Sequence, residues 1–96
     1  MDLAIGQGDD GSYVVEVQTP TGASTRHHVT VPPGYPAEIG CEGVAGEELV
    51  RASFGFLLER EPATAILRRF RLDQIESYFP EYRREMRRWG ASAGGG

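Results

Sequence analysis

The chain has 96 residues, a quarter of them charged, a formal charge of −4 and one cysteine. That length suits a single domain able to bury about 60–70% of the surface its unfolded chain exposes. No apolar run approaches the roughly 20 residues that cross a bilayer. The lone Cys41 has no internal disulfide partner, so the expectation is a soluble cytoplasmic protein without covalent cross-links.

The opening MDLAIGQGDDG lacks both the basic region and the apolar core of about 7–15 residues that mark a secretory signal. Leu3 and Ile5 alternate with smaller or polar neighbours, so residues 1–11 are read as an edge strand, with a mobile segment as the alternative. Ser12 to Thr19 alternates Tyr13, Val15 and Val17 against Val14, Glu16 and Gln18, the period of two of a half-buried strand. Pro20-Thr21-Gly22 is turn chemistry. Thr25 to Val31 alternates again, with His27, Val29 and Val31 on one face. Pairing Val17 with His27 and Val15 with Val29 places both apolar faces together and predicts an antiparallel hairpin.

Pro32, Pro33 and Pro36 remove ladder donors and end the sheet. Residues 36–40 suit one helical turn with Ile39 inward, and residues 41–46 a glycine-punctuated loop. Glu47 to Arg60 then reads as the central helix. Its apolar residues Leu49, Val50, Phe54, Phe56, Leu57 and Leu58 fill an arc of roughly 200° centred near Leu57, which requires packing on two sides. Glu48, Arg51, Gly55 and Glu59 fall in the polar remainder, and Glu47 pairs with Arg51 at i,i+4.

Pro62 sets the end of that helix near Glu61. Residues 63–70 are expected as a short second helix carrying Ile66, Leu67 and Phe70. Asp73 and Glu76 fit a capping box opening a third helix with Ile75, Tyr78 and Phe79. Pro80 suits the start of a fourth, EYRREMRRW. Gly90 is expected to stop the ordered domain, which then spans residues 1–90, with 91–96 a flexible tail.

Residues 47–82, with their leucine- and phenylalanine-rich helix, REP break, AILRRF segment and IESYFPEY ending, resemble a module of small uncharacterised bacterial proteins. HHVTVP in the hairpin is a looser echo. The resemblance implies a hairpin-plus-helices domain of bacterial origin and carries no activity, cofactor or catalytic residue.

Candidate chemistry is sparse. His27 and His28 are neighbours on a strand and point to opposite faces. Zinc needs three or four converging ligands, and Cys41 lies far from either histidine in the sequence, so no metal site is expected. Glu42 beside Cys41 would raise the thiol pKa, which argues against a nucleophile. Gly6, Gly8 and Gly11 lack the strand–loop–helix context of a phosphate loop, and Asp9-Asp10 would repel phosphate.

The arginines are the remaining candidates. Residues 1–48 carry eight acids and Arg26 alone, whereas residues 49–96 carry nine arginines and six acids, with no lysine anywhere. Arg83, Arg84, Arg87 and Arg88 spread over roughly 140° of the last helix, opposite a stripe of Tyr82, Met86 and Trp89. Arg68, Arg69 and Arg71 form a second cluster. A basic helix of this kind can lie along nucleic acid, yet Glu81–Arg84 and Glu85–Arg88 are i,i+3 pairs that offset part of the charge. No helix-turn-helix, zinc-finger or RNA-binding signature accompanies them.

The expected fold is α+β: an antiparallel hairpin, three-stranded if residues 1–11 join it, packed on a long amphipathic helix followed by several short helices. The expected core is Leu49, Val50, Phe54, Phe56, Leu57, Leu58, Ile66, Leu67, Phe70, Ile75 and Phe79. A thin sheet with open edges and an excess of aromatic residues favour a non-enzymatic interaction or regulatory module, bound to a protein partner or to itself. The alternative is a nucleic-acid-associated accessory protein using the arginines. No cofactor, metal or membrane partner is expected.

Overall fold

In the computed structural model, which describes residues 2–8 and 11–94, a central strand organises the sheet. This is β2 (Ser12–Gln18), flanked by β1 (Asp2–Gln7) and β3 (Ser24–Thr30), both antiparallel to it. A fourth strand, β4 (Arg69–Arg71), runs parallel to β3 at the far edge, giving the order β1-β2-β3-β4. The helices are α1 (Tyr35–Glu38), α2 (Gly46–Leu58), α3 (Ile75–Tyr78) and α4 (Tyr82–Gly94). The α+β class is as expected. The sheet is mixed and four-stranded, not an antiparallel hairpin of two or three strands.

The expected edge strand forms. Leu3 stands opposite Val17 and Ile5 opposite Val15, extending the apolar face of β2, while Gly8 N–H closes the loop on Ser12 O at 2.7 Å. Met1, Asp9 and Asp10 lie outside the described residues, as do the last two glycines of the expected tail. In the hairpin, Val15 faces His27 and Val17 faces Thr25, a register two residues from the expected one. The tight turn sets it: Thr19 N–H donates to Ala23 O at 2.9 Å and Gly22 N–H to Thr19 O at 3.0 Å. Gly22 has φ 89°, a left-handed conformation that glycine adopts without a Cβ penalty. A shift by two keeps every side chain on its face, so Val15, Val17, His27 and Val29 are still the buried set.

Helix α2 covers that face, starting and ending within two residues of its predicted bounds. Glu47 and Glu48 lie in its first turn, where the helix dipole favours acids, and Glu47 pairs with Arg51 at 3.8 Å. Leu49, Val50, Phe54, Phe56 and Leu57 are buried and Leu58 is partly so. The wide arc is met from two sides, as its width required. Phe54 reaches the sheet, with ring centroids 5.3 Å from His27 and 6.0 Å from Phe70. On the other flank, Phe56 meets Tyr82 of α4 edge-on at 5.2 Å. Ile39, just after α1, is fully buried as expected.

Three expectations after Pro62 are corrected. Residues 63–70 do not form a helix. A 3-10 turn at Ala63–Ala65 leads into extended chain and β4. The apolar positions 66, 67 and 70 fit either period locally, and the unpaired edge of β3 decides: His28 N–H donates to Arg68 O at 2.7 Å. Extended backbone sends Ile66 and Phe70 inward and turns Leu67 out, 47% exposed, so Leu67 is not a core residue. Phe79 is likewise only partly buried against the core. Second, Asp73 and Glu76 do not make a capping box. Gln74 Oε1 accepts Arg71 N–H at 2.7 Å and opens the turn before α3, while Glu76 is drawn to Tyr35 and Arg83. Third, Gly90 does not stop the last helix: α4 runs through it to Gly94.

Candidate interaction groove

The early turn at Pro62 and the short β4 leave a concavity of about 290 Å³ beside the end of α2. Its lining joins the buried Leu57, Ile66, Phe70 and Ile75 to Leu67, Tyr78 and Phe79, and Glu61, Ala65 and Gln74 complete it. Tyr78 is 63% exposed and Leu67 47%, and they are the exposed large hydrophobic residues of the described chain. Both border this groove. The lining is apolar apart from Glu61, Gln74 and the tyrosine hydroxyl, so it suits an apolar side chain and offers no converging acid–base or ligand set.

A polar network centres on Glu76, the residue after Ile75 of the groove lining. The buried Tyr35 hydroxyl donates to Glu76 Oε2, and Arg83 Nη2 donates to Glu76 Oε1 at 3.2 Å. Arg83 also reaches Glu38 O at 3.5 Å, so α1, α3 and α4 are tied at one point. Burial, and next the bond to Glu76, push the Tyr35 phenol up. The Tyr35 bond, with help from Arg83 and against some desolvation, holds Glu76 below the usual carboxylate range. Arg60 lies 3.7 Å over the Phe56 ring and donates to Glu81 Oε2 at 3.2 Å, an arrangement that favours charge over an aromatic face.

The arginine clusters fare unequally. Arg83 is occupied by Glu76, whereas Arg84, Arg87 and Arg88 are exposed and form no ion pair among the described residues. The expected Glu81–Arg84 and Glu85–Arg88 pairs do not close; Glu81 turns to Arg60 instead. The opposite stripe docks as read: Tyr82 and Met86 are buried and Trp89 packs on the core. Arg68, just before β4, and Arg69 and Arg71 within it are all exposed, and of the three only Arg71 is paired among the described residues, to Asp73 at 3.1 Å.

His27 is buried, with Nδ1 2.8 Å from Leu67 O and Nε2 2.9 Å from Thr25 Oγ1. A carbonyl only accepts, so Nδ1 carries a hydrogen. His28 is exposed on the other face. Cys41 is fully buried, its Sγ donating to Met86 O at 3.3 Å, and burial pushes its thiol pKa up. Among the described residues no three His, Cys, Asp or Glu side chains gather as a metal site, and no helix is long and apolar enough to cross a membrane. Sequence reasoning missed the groove and the Tyr35–Glu76–Arg83 network. The groove's residues carry no motif; the signal that survives is an apolar Leu67 beside three arginines.

No family model, curated protein or solved structure matches the chain, in keeping with its resemblance only to uncharacterised proteins. What the fold defines is a class: an α+β domain with, among the described residues, a four-stranded mixed sheet and four α-helices.

Proposed function

We propose that this is a bacterial, cytoplasmic, non-enzymatic interaction module that holds an apolar side chain of a protein partner in the groove beside β4. The observation that carries the reading is that Leu67 and Tyr78, the exposed large hydrophobic residues among those described, both line one largely apolar concavity. Isolated exposed apolar residues are ordinary, but exposed apolar residues that border a common concavity mark interaction sites. The test compares capture of partners from the native cell by the parent and by Leu67→Glu. At an exposed position the substitution should change stability by no more than about 0.5 kcal/mol. A protein held by the parent and released by the variant supports the reading. An unchanged set of captured proteins removes it.

A second reading, nucleic-acid association, draws on Arg84, Arg87 and Arg88, which are exposed and without ion-pair partners among the described residues. Against it stand the chain's net negative charge and the engagement of Arg83 by Glu76. Binding to duplex DNA that weakens with log salt at a slope of about −0.9 per phosphate contact, and flattens when the three are changed to glutamine, would favour this alternative.

A further inference from the structure

We infer that the open edge of β1 seats a second copy of this chain, paired antiparallel about a two-fold axis at Ile5 so that the two sheets become one. This edge lies at the opposite end of the sheet from β4, and the inference does not draw on the groove.

Pairing with β2 fixes which backbone groups of β1 point outward. Gly8 N–H donates to Ser12 O, and bonded and unbonded pairs alternate along an antiparallel ladder. Gly6, Ala4 and Asp2 therefore turn their N–H and C=O toward Val14, Glu16 and Gln18 of β2. Leu3, Ile5 and Gln7 turn theirs to the open edge. Among the described residues, the side chain that reaches these groups is Arg51, with Nη1 3.5 Å from Leu3 O, longer than a well-formed hydrogen bond. Arg51 is exposed and also lies 3.8 Å from Glu47, so it can leave the carbonyl without losing its ion pair.

About a two-fold axis at Ile5 these outward groups match. Ile5 faces Ile5 of the second copy and Leu3 faces its Gln7, so each outward N–H and C=O of the three residues gains a partner. The side chains agree with the bonds. Leu3 and Ile5 stand opposite the buried Val17 and Val15 and pack against the core. Ile5 beside its equivalent continues that apolar face across the joint, a cross-strand contact that stabilises a sheet. On the outer face Ala4 falls opposite Gly6, two small residues. Asp2, the acid of the strand, falls opposite Gly8 and not opposite itself, so the register sets no like charges against each other.

The two edges of the sheet differ in protection. Strand β4 has three residues, two of them arginines, and Gln74 covers its Arg71 N–H; short, charged, covered edges discourage pairing. Strand β1 has six residues, DLAIGQ, with no proline, no basic residue and no bulge in its register, so it carries none of those devices. A foreign strand would satisfy the same backbone groups. The agreement of bonding register, apolar face and charge spacing on one two-fold axis selects a second copy.

The test follows the oligomeric state of the full chain by sedimentation over a dilution series, for the parent and Gln7→Pro. Gln7 is exposed and its N–H points outward, so proline there removes a donor of the joint and none of β1–β2, a placement that edge strands tolerate. The expected result is a parent dimer that dissociates on dilution. Association should weaken by about tenfold or more in the variant, because the two-fold axis repeats the lost bond. Register is read from Ile5→Cys and Ala4→Cys under a mild oxidant. The two residues 5 would have Cα atoms about 5.5 Å apart, within disulfide reach. The two residues 4 would be displaced along the strands by about 7 Å. The native Cys41 is fully buried and does not compete. Only Ile5→Cys should give a disulfide-linked dimer, a result that decides the matter even where Gln7→Pro fails to fold. A parent that is monomeric at every concentration overturns the proposal. So does a dimer that folded Gln7→Pro retains, or an Ala4→Cys crosslink as fast as that of Ile5→Cys. A dimer abolished by Leu67→Glu overturns it too, since that would seat the second copy in the groove.

Discussion

Gly90 of α4 lies against Gly40, so closely that a Cβ on residue 90 would stand 2.7 Å from the Gly40 carbonyl oxygen and 2.8 Å from Cys41 Sγ. Both neighbours are held: the Gly40 carbonyl is backbone, and Cys41 is fully buried and bonded to Met86 O. The glycine therefore sets how closely α4 approaches the loop after α1, and with it the depth at which Tyr82 and Met86 dock. Gly90→Ala should destabilise by about 1–3 kcal/mol through overpacking, outweighing the roughly 1 kcal/mol that alanine gains in a helix. Gly55 is the control, exposed on α2 with nothing near its missing Cβ. Gly55→Ala should stabilise by about 0.4–1 kcal/mol. Opposite shifts of the urea midpoint are the expected result; equal shifts would mean that α4 is not seated as described.

A second test concerns the polar contact buried between α2 and α4. Ser53 Oγ donates to Leu49 O at 2.8 Å and lies 2.6 Å from the Tyr82 hydroxyl. A serine hydroxyl has one hydrogen, so with that hydrogen on Leu49 O, Tyr82 is the donor to Ser53. Tyr82→Phe removes the donor and should cost about 0.5–1.5 kcal/mol. Ser53→Ala strands the buried phenol and should cost more, about 1–3 kcal/mol. The double variant should fall short of the sum of the two, since the two residues share one interaction. Strict additivity in equilibrium unfolding would show that the contact contributes nothing.

The Tyr35–Glu76–Arg83 network gives stability a pH dependence of known sign. Glu76 is depressed in the folded state, so its contribution is present above the unfolded value of about 4.3 and is lost as pH falls through the lower folded value. Tyr35 and Tyr82 are raised, chiefly by burial. Their contribution is complete below the unfolded value of about 10 and is lost as pH rises toward the folded value. Thermal midpoints should therefore decline on both limbs. Glu76→Gln should flatten the acid limb below about pH 4.3, whereas Tyr35→Phe should reduce the alkaline fall. An acid limb of unchanged steepness in Glu76→Gln would show that this carboxylate is not the group responsible.

Cys41 should be chemically silent in the native protein. Its thiol is fully buried and its pKa is raised by desolvation, whereas reactive cysteines are partly exposed and depressed. An aromatic disulfide reagent at neutral pH should react only at the rate of unfolding, and fully once denaturant is added. Stoichiometric labelling of the folded protein within minutes would show that the loop between α1 and α2 opens readily.

The elements legible in the sequence are those fixed by short-range periodicity. Helix α2 was readable because six apolar residues between Leu49 and Leu58 recur at helical spacing, and the breadth of their arc already required two packing partners. The faces of β2 and β3 were readable because alternation of period two survives a register shift of two; the register was not, because it depends on how tightly Pro20-Thr21-Gly22 turns. Tertiary structure alone decided the rest. Residues 66–71 carry a pattern compatible with helix or strand, and the free edge of β3, distant in the sequence, selected the strand and turned Leu67 outward. Gly90 has the composition of a helix stop, yet the approach of Gly40 makes it a contact within a continuing helix. The groove joins Leu57, Leu67 with Phe70, and Tyr78 from three separate segments, so no local pattern announces it. A side chain's periodicity is a property of its neighbours along the chain, whereas its partner, its exposure and the concavity it borders belong to segments brought together only when the chain is folded.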